Sequence, residues 1–343
     1  MTPYGAVDVY RNVYQSSTGG KTCVPADERS HLIMKTTPRM AKMLQWSYSK
    51  QSADSVVLDF KHQHEVSIRK SYVQKISDKI LGLVAESELT TTYELPEGIS
   101  EQVNHLSFSL DGTHVNMVED GYRETMTGAI SLYDESGERL HTVYVASSPE
   151  YGKESFECIL AHEIEVMQEK FPDAPCIGVA DGAATNWTFL AQYTGLLLID
   201  FFHAAEYLSA FSKAIFGDKE GRFWYERQKE ILKEKPSGVL LVITAMEEAL
   251  KEQRGDKHCD ITKKVLTYFI NKSDKMNYHE YLEKKYPIGS GVIEAACKTV
   301  IGQRAKQSGM RWMENGLNSV LATRGLVLTE GRWEQFWEKY MAA

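Results

Sequence analysis

Long apolar runs are missing. The longest, GLLLIDFF (195–202) and GVLLVITAM (238–246), fall well short of the roughly 20 residues that span a bilayer, so no membrane-crossing helix is expected. Paired cysteines are missing too. The five at 23, 158, 176, 259 and 297 include no Cys-x-x-Cys, and their number is odd. That excludes a disulfide framework and a zinc ribbon and points to a reducing cytoplasm. The segment MTPYGAVDVYRN lacks the basic-then-apolar pattern of a secretory signal. A surplus of basic charge is also absent: 39 Lys and Arg stand against 47 Asp and Glu, a net of −8. By bulk charge alone this is not a simple nucleic-acid binder.

What is present is an ordinary globular composition, 43% hydrophobic and 25% charged over 343 residues. It rules out a wholly disordered chain and suggests two or three domains at roughly 150 residues each. In residues 1–35, the alternation of AVDVYRNVYQ predicts a strand. TGGKT (18–22) lacks the earlier glycine of a phosphate loop, since Gln15 stands there, and reads as a turn. TPRMAKMLQWSYSK, SADSVVLDFKH and SIRKSYVQKISDKILGLV have helical spacing. The HQHEVS turn before the third helix fits a helix-turn-helix, with Arg69 and Lys70 at its start, or equally a small helical packing module. His62 and His64 read as solvated loop residues rather than a metal pair. Residues 86–104 read as a polar linker.

A second pattern begins at 105. Three alternating segments with turns at GYRE and DESGE predict an antiparallel meander. A helix follows, then CIGVAD, a helix, LLLID and another helix. This β-β-β-α-β-α-β-α order predicts an α/β (α+β) mixed sheet with helices on its faces. The boundaries expected are 1–85 for a DNA-binding module, 86–104 for the linker, and 105–216 for the first part of the core. A helical insertion over 217–286 and a final helical block over 287–343 complete them.

Three acids stand at expected strand ends: Asp111, Asp181 and Asp200. The first two are each followed by glycine, Gly112 and Gly182. Active sites of mixed sheets gather there. Carboxylates together without basic partners repel unless a cation neutralises them, and oxygen-only donors select Mg²⁺ or Mn²⁺. Glu294, in GSGVIEAACK, is a lone carboxylate among small and apolar residues near a helix start. It can compensate the helix dipole or complete the metal set.

The ordered strings SLDGTHV, GYRETMTGAISLYD, GVADGA, IDFFHAAEYL and GSGVIEAACKTVIGQRAKQSGMRW resemble insertion-sequence transposases of the ISKra (Kra-four) type. Those are D-D-E members of the ribonuclease-H-like superfamily. The resemblance runs from about Thr2 to the region of Trp337. It implies a ribonuclease-H-like core and metal-dependent cleavage and strand transfer of insertion-sequence ends. It also implies two Mg²⁺ or Mn²⁺ ions on Asp111, Asp181 and Glu294, with terminal-repeat and target DNA as partners. A homo-oligomer on DNA, nucleoid-associated in the cytoplasm, is implied as well. Asp200 and His203 match a shared D-x-x-H signature: Asp200 is an auxiliary ligand or orders its helix, and His203 contacts phosphate, moves a proton or is structural. Lys298, Arg304, Lys306 and Arg311 are expected to hold the DNA backbone, and Trp312 to pack in the core. Only Cys23 stands where family members carry Cys-x-x-Cys, so no zinc knuckle is expected. The rival readings are a structure-specific nuclease on the same fold and a catalytically silent DNA-binding descendant. A glycosidase or a cysteine hydrolase finds no comparable support.

The charge divides along the chain. Residues 1–83 and 294–343 carry nets of +5 and +2, whereas 84–293 carries −15. The bulk acidity therefore leaves room for DNA at the two basic ends.

Overall fold

The computed structural model describes residues 1–90, 92–150, 153–181, 183–252 and 260–342; Gly182 and Cys259 lie outside them. The centre is a five-stranded sheet of β1 (His105–Met117), β2 (Gly121–Tyr133), β3 (Arg139–Ser147), β4 (Cys176–Ala180) and β5 (Leu196–Ile199). Its order is β3-β2-β1-β4-β5. β1–β2–β3 is the expected meander, and β4 and β5 add in parallel beside β1. The parallel joins are made by helical crossovers, which alone can return a chain to the same sheet end. These are α5 (Glu154–Lys170) and α6 (Ala184–Leu190).

The two faces of the meander differ in kind, as the strand period of two dictates. One face carries Leu106, Phe108, Leu110, Ile130, Leu132, Val143 and Val145, buried in a cluster that also takes in α5 and α6. The helices that follow β5 join this cluster. They are α7 (Phe201–Glu234), α8 (Gly238–Glu252), α9 (Asp260–Asn271) and α10 (Tyr278–Glu283). The expected insertion is thus helical, and it is packed into the same core as the sheet.

The other face is lined by small and hydroxylic residues. Ser107, Ser109 and Thr113 on β1 face Ser131, Ala129 and Thr125 on β2. Ser131 and Thr142 share a 3.1 Å bond and Thr127 Oγ1 donates to the Val145 carbonyl at 2.9 Å, whereas the Thr125 hydroxyl is buried without a partner. Short side chains let helices approach the strands closely. At Gly325, on α13 (Glu314–Leu328), a Cβ would stand 2.9 Å from the Tyr144 carbonyl oxygen. A larger residue there would push the helix off the sheet.

Against this second helical layer pack α2 (Pro38–Lys50), α3 (Ala53–Gln63), α4 (Lys70–Thr90) and α14 (Arg332–Ala342). Thr37 and Ser52 cap α2 and α3, each accepting from a backbone N–H three residues on. The N-terminal helices share one buried cluster with the C-terminal ones. The boundary expected at 85 therefore falls within a helix. The expected linker is also pinned. Tyr93 is buried, bonded to His141 Nε2 at 3.1 Å and to the Glu330 carbonyl. The buried pair Arg332–Glu163 ties α14 to α5 beside it.

The strand expected in AVDVYRNVYQ does not form. Residues 6–13 have no regular structure, and Val7, Val9, Tyr10 and Val13 are exposed. Alternation without a neighbouring strand to pair with leaves the ladder unsatisfied. Instead α1 (Pro25–Arg29) follows, a short helix not anticipated from the sequence.

Candidate functional site

The register of the sheet sets two acids side by side. Ser109 pairs with Val179 in the parallel β1–β4 ladder. Asp111 and Asp181 each lie two residues further on, one strand spacing apart. Ala180 pairs with Ile199 in turn, so Asp200 follows at the end of β5. Asp181 and Asp200 thus follow the carboxyl ends of β4 and β5, where ligand crevices of such sheets lie, and Asp111 stands on β1 where its parallel ladder with β4 stops. The parallel ladder stops because Asn186 on α6 takes over, donating to the Leu110 carbonyl at 3.4 Å.

Asp111 is not at the end of its strand. β1 runs six residues past it, paired to β2 with Asp111 opposite Thr127. What ends at that point is the parallel ladder alone. Asp111 projects from the small-residue face. Its Oδ1 accepts from the Gly112 N–H at 2.7 Å and its Oδ2 from Cys297 Sγ at 3.4 Å. Burial raises the Asp111 carboxyl above its ordinary range. The two hydrogen bonds oppose this, and the charges of Asp181 and Glu124 add to it. Asp181 Oδ1 accepts from the Ala183 N–H at 3.1 Å.

Glu294 sits on α11 (Gly291–Ala296), which continues through a π-helical stretch (Cys297–Gly302) into α12 (Gln303–Ala305). Such wide turns recur at functional sites. The run docks on the hydroxylic face through Ile293, Ala296, Val300 and Ile301. The contact with Asp111 is made by Cys297, one turn after Glu294. Burial pushes the Cys297 thiol far up, with the charge and hydrogen bond of Asp111 next, and the charge of Glu294 adds to it. Cys297 is therefore a neutral donor to Asp111. Glu294 itself is exposed and accepts from the Ser290 hydroxyl at 3.2 Å. Among the described residues, no three His, Cys, Asp or Glu side chains are grouped to hold a metal ion.

The Asp111–Asp181 pair has the donor chemistry for a hard divalent cation: carboxylate oxygens on β1 and just past β4, with Asp111 raised first by burial and further by the charge of Asp181. Glu294 stands on the same side, beside Cys297, with its carboxylate turned to its own helix cap.

Asp200 does different work. It is 1% exposed, and both oxygens serve backbone donors. Oδ1 takes the His203 N–H at 2.6 Å, capping α7, and Oδ2 takes the Ser290 N–H. The Phe201 N–H donates to the Ile288 carbonyl at 2.9 Å. Asp200 therefore holds the strap 288–290 from which the Glu294 helix starts. Of its two anticipated roles, the structure supports the ordering of backbone. His203 is partly exposed, edge-on to Tyr207 at 5.1 Å and 3.9 Å from Glu206. Tyr207 stacks on Tyr268 of α9 at 4.3 Å. Burial raises the Tyr268 phenol well above its usual range, and the charges of Tyr207, Asp181 and Asp200 add to it. The charges of the acids are thus felt at a phenol of the helical insertion, a proximity that no local sequence signal marks.

The expected DNA contacts divide. Lys298 is exposed. Lys306 is exposed and donates to Thr113 Oγ1 on β1. Arg311 is exposed and donates to the Val118 carbonyl at 2.8 Å. Arg69 is exposed, and Lys70 pairs with Asp54 at 2.6 Å. Arg304 is the correction. It is 1% exposed, lies between the rings of Tyr48 and Trp312, and donates to the Tyr48 carbonyl at 3.0 Å. It satisfies a carbonyl left over at the end of α2. Arg324 does the same for Ser49, and also donates to the Thr299 and Val300 carbonyls of the π-helical stretch. Trp312 is buried as expected, its Nε1 donating to the Ala305 carbonyl at 3.0 Å.

Comparison with known protein families and with curated proteins finds no match for the chain. No helix among the described residues is long and apolar enough to cross a membrane.

Proposed function

We propose that this chain is a DDE transposase of the ISKra type with a ribonuclease-H-like core, cleaving and joining insertion-sequence DNA ends. One observation carries the reading. Asp111 lies on β1, Asp181 directly follows its parallel neighbour β4, and the helix bearing Glu294 docks against Asp111 through the Cys297 contact. The mixed sheet, three antiparallel strands continued by two parallel ones, agrees with it.

In this reading Asp111 and Asp181 would hold one divalent ion, and Glu294, released from Ser290, would help to hold a second. Bound there, Mg²⁺ or Mn²⁺ supplies Lewis-acid polarisation of the phosphate and a more acidic attacking water or 3′-hydroxyl. The rest falls to the chain. Cys297 fixes the Asp111 carboxylate by donating to Oδ2. Asp200 fixes the strap that launches the Glu294 helix. Lys298, Lys306 and Arg311 are the exposed cations that meet the DNA backbone on this side, and Arg69 and Lys70 meet it at the start of α4. DNA is the partner, a homo-oligomer its working form, and the nucleoid its place.

The test uses plasmid DNA carrying the sequences that flank the chain's own coding region, with Mg²⁺ or Mn²⁺. Nicked and joined products are expected from the wild type, and none from Asp111→Asn, Asp181→Asn or Glu294→Gln. Equal products from wild type and variants refute the assignment. The outward turn of Glu294 favours one second reading, a silent DNA-binding descendant. It predicts DNA binding without metal-dependent products.

A further inference from the structure

The start of α7 is mostly buried, with His203 partly exposed. Phe201, Ala204, Ala205 and Leu208 all face the core, yet Phe202 is 61% exposed. It follows Asp200 directly, and its ring is held from two sides. Phe201 meets it edge-on at 5.6 Å, and Phe201 is itself locked edge-on against Tyr278 at 5.1 Å. On the other side lies Gly289. A Cβ there would stand 3.3 Å from the Phe202 ring, so the strap is glycine where the ring passes. Phe202 is thus wedged between the end of β5 and the start of the Glu294 helix, with the rest of its surface in water. His203 and Tyr207 continue the aromatic row along α7.

We propose that Phe202 is a base-stacking platform at the rim of the acidic site, so that DNA is taken with an unpaired nucleotide beside the acids. The inference rests on the transposase reading above. An aromatic ring in water gains from covering its surface, and every base has a face that fits it. A ring already clamped by neighbours loses little freedom on stacking. The neighbouring carboxylates repel the phosphate backbone, so a neutral contact to the base is the one this edge of the site can offer without a cation.

The experiment uses the full chain and a short oligothymidylate carrying one 2-aminopurine, in Ca²⁺, with a blunt duplex as the comparison. Phe202→Ala should weaken binding of the single strand about 5- to 150-fold and relieve the quenching of 2-aminopurine. Duplex affinity should be unchanged. Phe202→Trp should restore binding, and Phe223→Ala, an exposed ring elsewhere on α7, should have no effect. Wild-type affinity in Phe202→Ala overturns the proposal, as does an equal loss on single strand and duplex. The two claims fail separately. Acid-dependent plasmid cleavage with unaltered oligonucleotide binding by Phe202→Ala removes only the platform. Phe202-dependent binding without acid-dependent cleavage removes only the transposase.

Discussion

Replacing Arg304 by Met separates a structural cation from a DNA-binding one. Its basic neighbours in sequence make it look like part of a phosphate-binding row, but its guanidinium is buried between Tyr48 and Trp312. Met fills most of the volume and removes the charge. The loss begins with a charged hydrogen bond to the Tyr48 carbonyl, worth about 1.5–3 kcal/mol, which leaves a buried acceptor unpaired. Two ring contacts add about 0.5–2 kcal/mol each. Their overlap brings the expected destabilisation to about 3–5 kcal/mol, a large share of the roughly 5–15 kcal/mol that holds a domain folded. Urea unfolding followed by far-ultraviolet circular dichroism should show a lower midpoint at unchanged slope. Lys298→Ala should keep the wild-type midpoint. In DNA binding the order reverses: Lys298→Ala should lower the salt dependence by about 0.9 per phosphate contact, and folded Arg304→Met should not. An Arg304→Met protein as stable as wild type, with a reduced salt slope, would refute the reasoning.

Asp200→Ala removes the cap of α7 and the acceptor for Ser290, costing about 2–4 kcal/mol by urea midpoint. Asp200→Asn keeps one acceptor oxygen and should cost about half as much; unchanged stability with lost cleavage would make Asp200 a metal ligand instead. His105 is buried, stacked on Tyr133 and packed against the tilted ring of Tyr286, and burial lowers its pKa from 6.5 to about 4. The unfolded chain takes up the proton first, so its contribution is complete above about 6.5 and is lost as pH falls toward 4. That loss amounts to about 3 kcal/mol. His105→Phe should flatten the stability-against-pH curve in that window, and an unchanged curve would count against a neutral buried imidazole.

Periodicity located the secondary structure well wherever an element buries one face. The meander, the two apolar strands ending in acids and the amphipathic helices all carry that pattern. It failed at AVDVYRNVYQ, where alternation is present but no strand lies alongside. A strand's stability belongs to its neighbours rather than to its own residues. The segment expected as a linker shows the same dependence on distant partners. The polarity of residues 86–104 suggested a linker, but Tyr93 is pinned by His141 and Glu330, partners far away in sequence.

Asp111, Asp181 and Glu294 could be singled out as candidates from the sequence, since carboxylates beside strand ends and on an apolar helix call for an explanation. So was the segregation of charge along the chain. Only the tertiary structure decided what each charge does. Arg304 and Lys298 are the same kind of residue on one helical run, and burial made one a helix cap while the other stays in solvent. Asp200 and Asp181 end adjacent strands, and two backbone N–H groups claimed the first alone. The donation of Cys297 to Asp111 and the hold of Asp200 on Ser290 join segments separated by a long stretch of chain. Local patterns report what a residue prefers. Which partner meets it depends on how the layers close, and that sets whether a charge is paid out to solvent, to backbone or to a ligand.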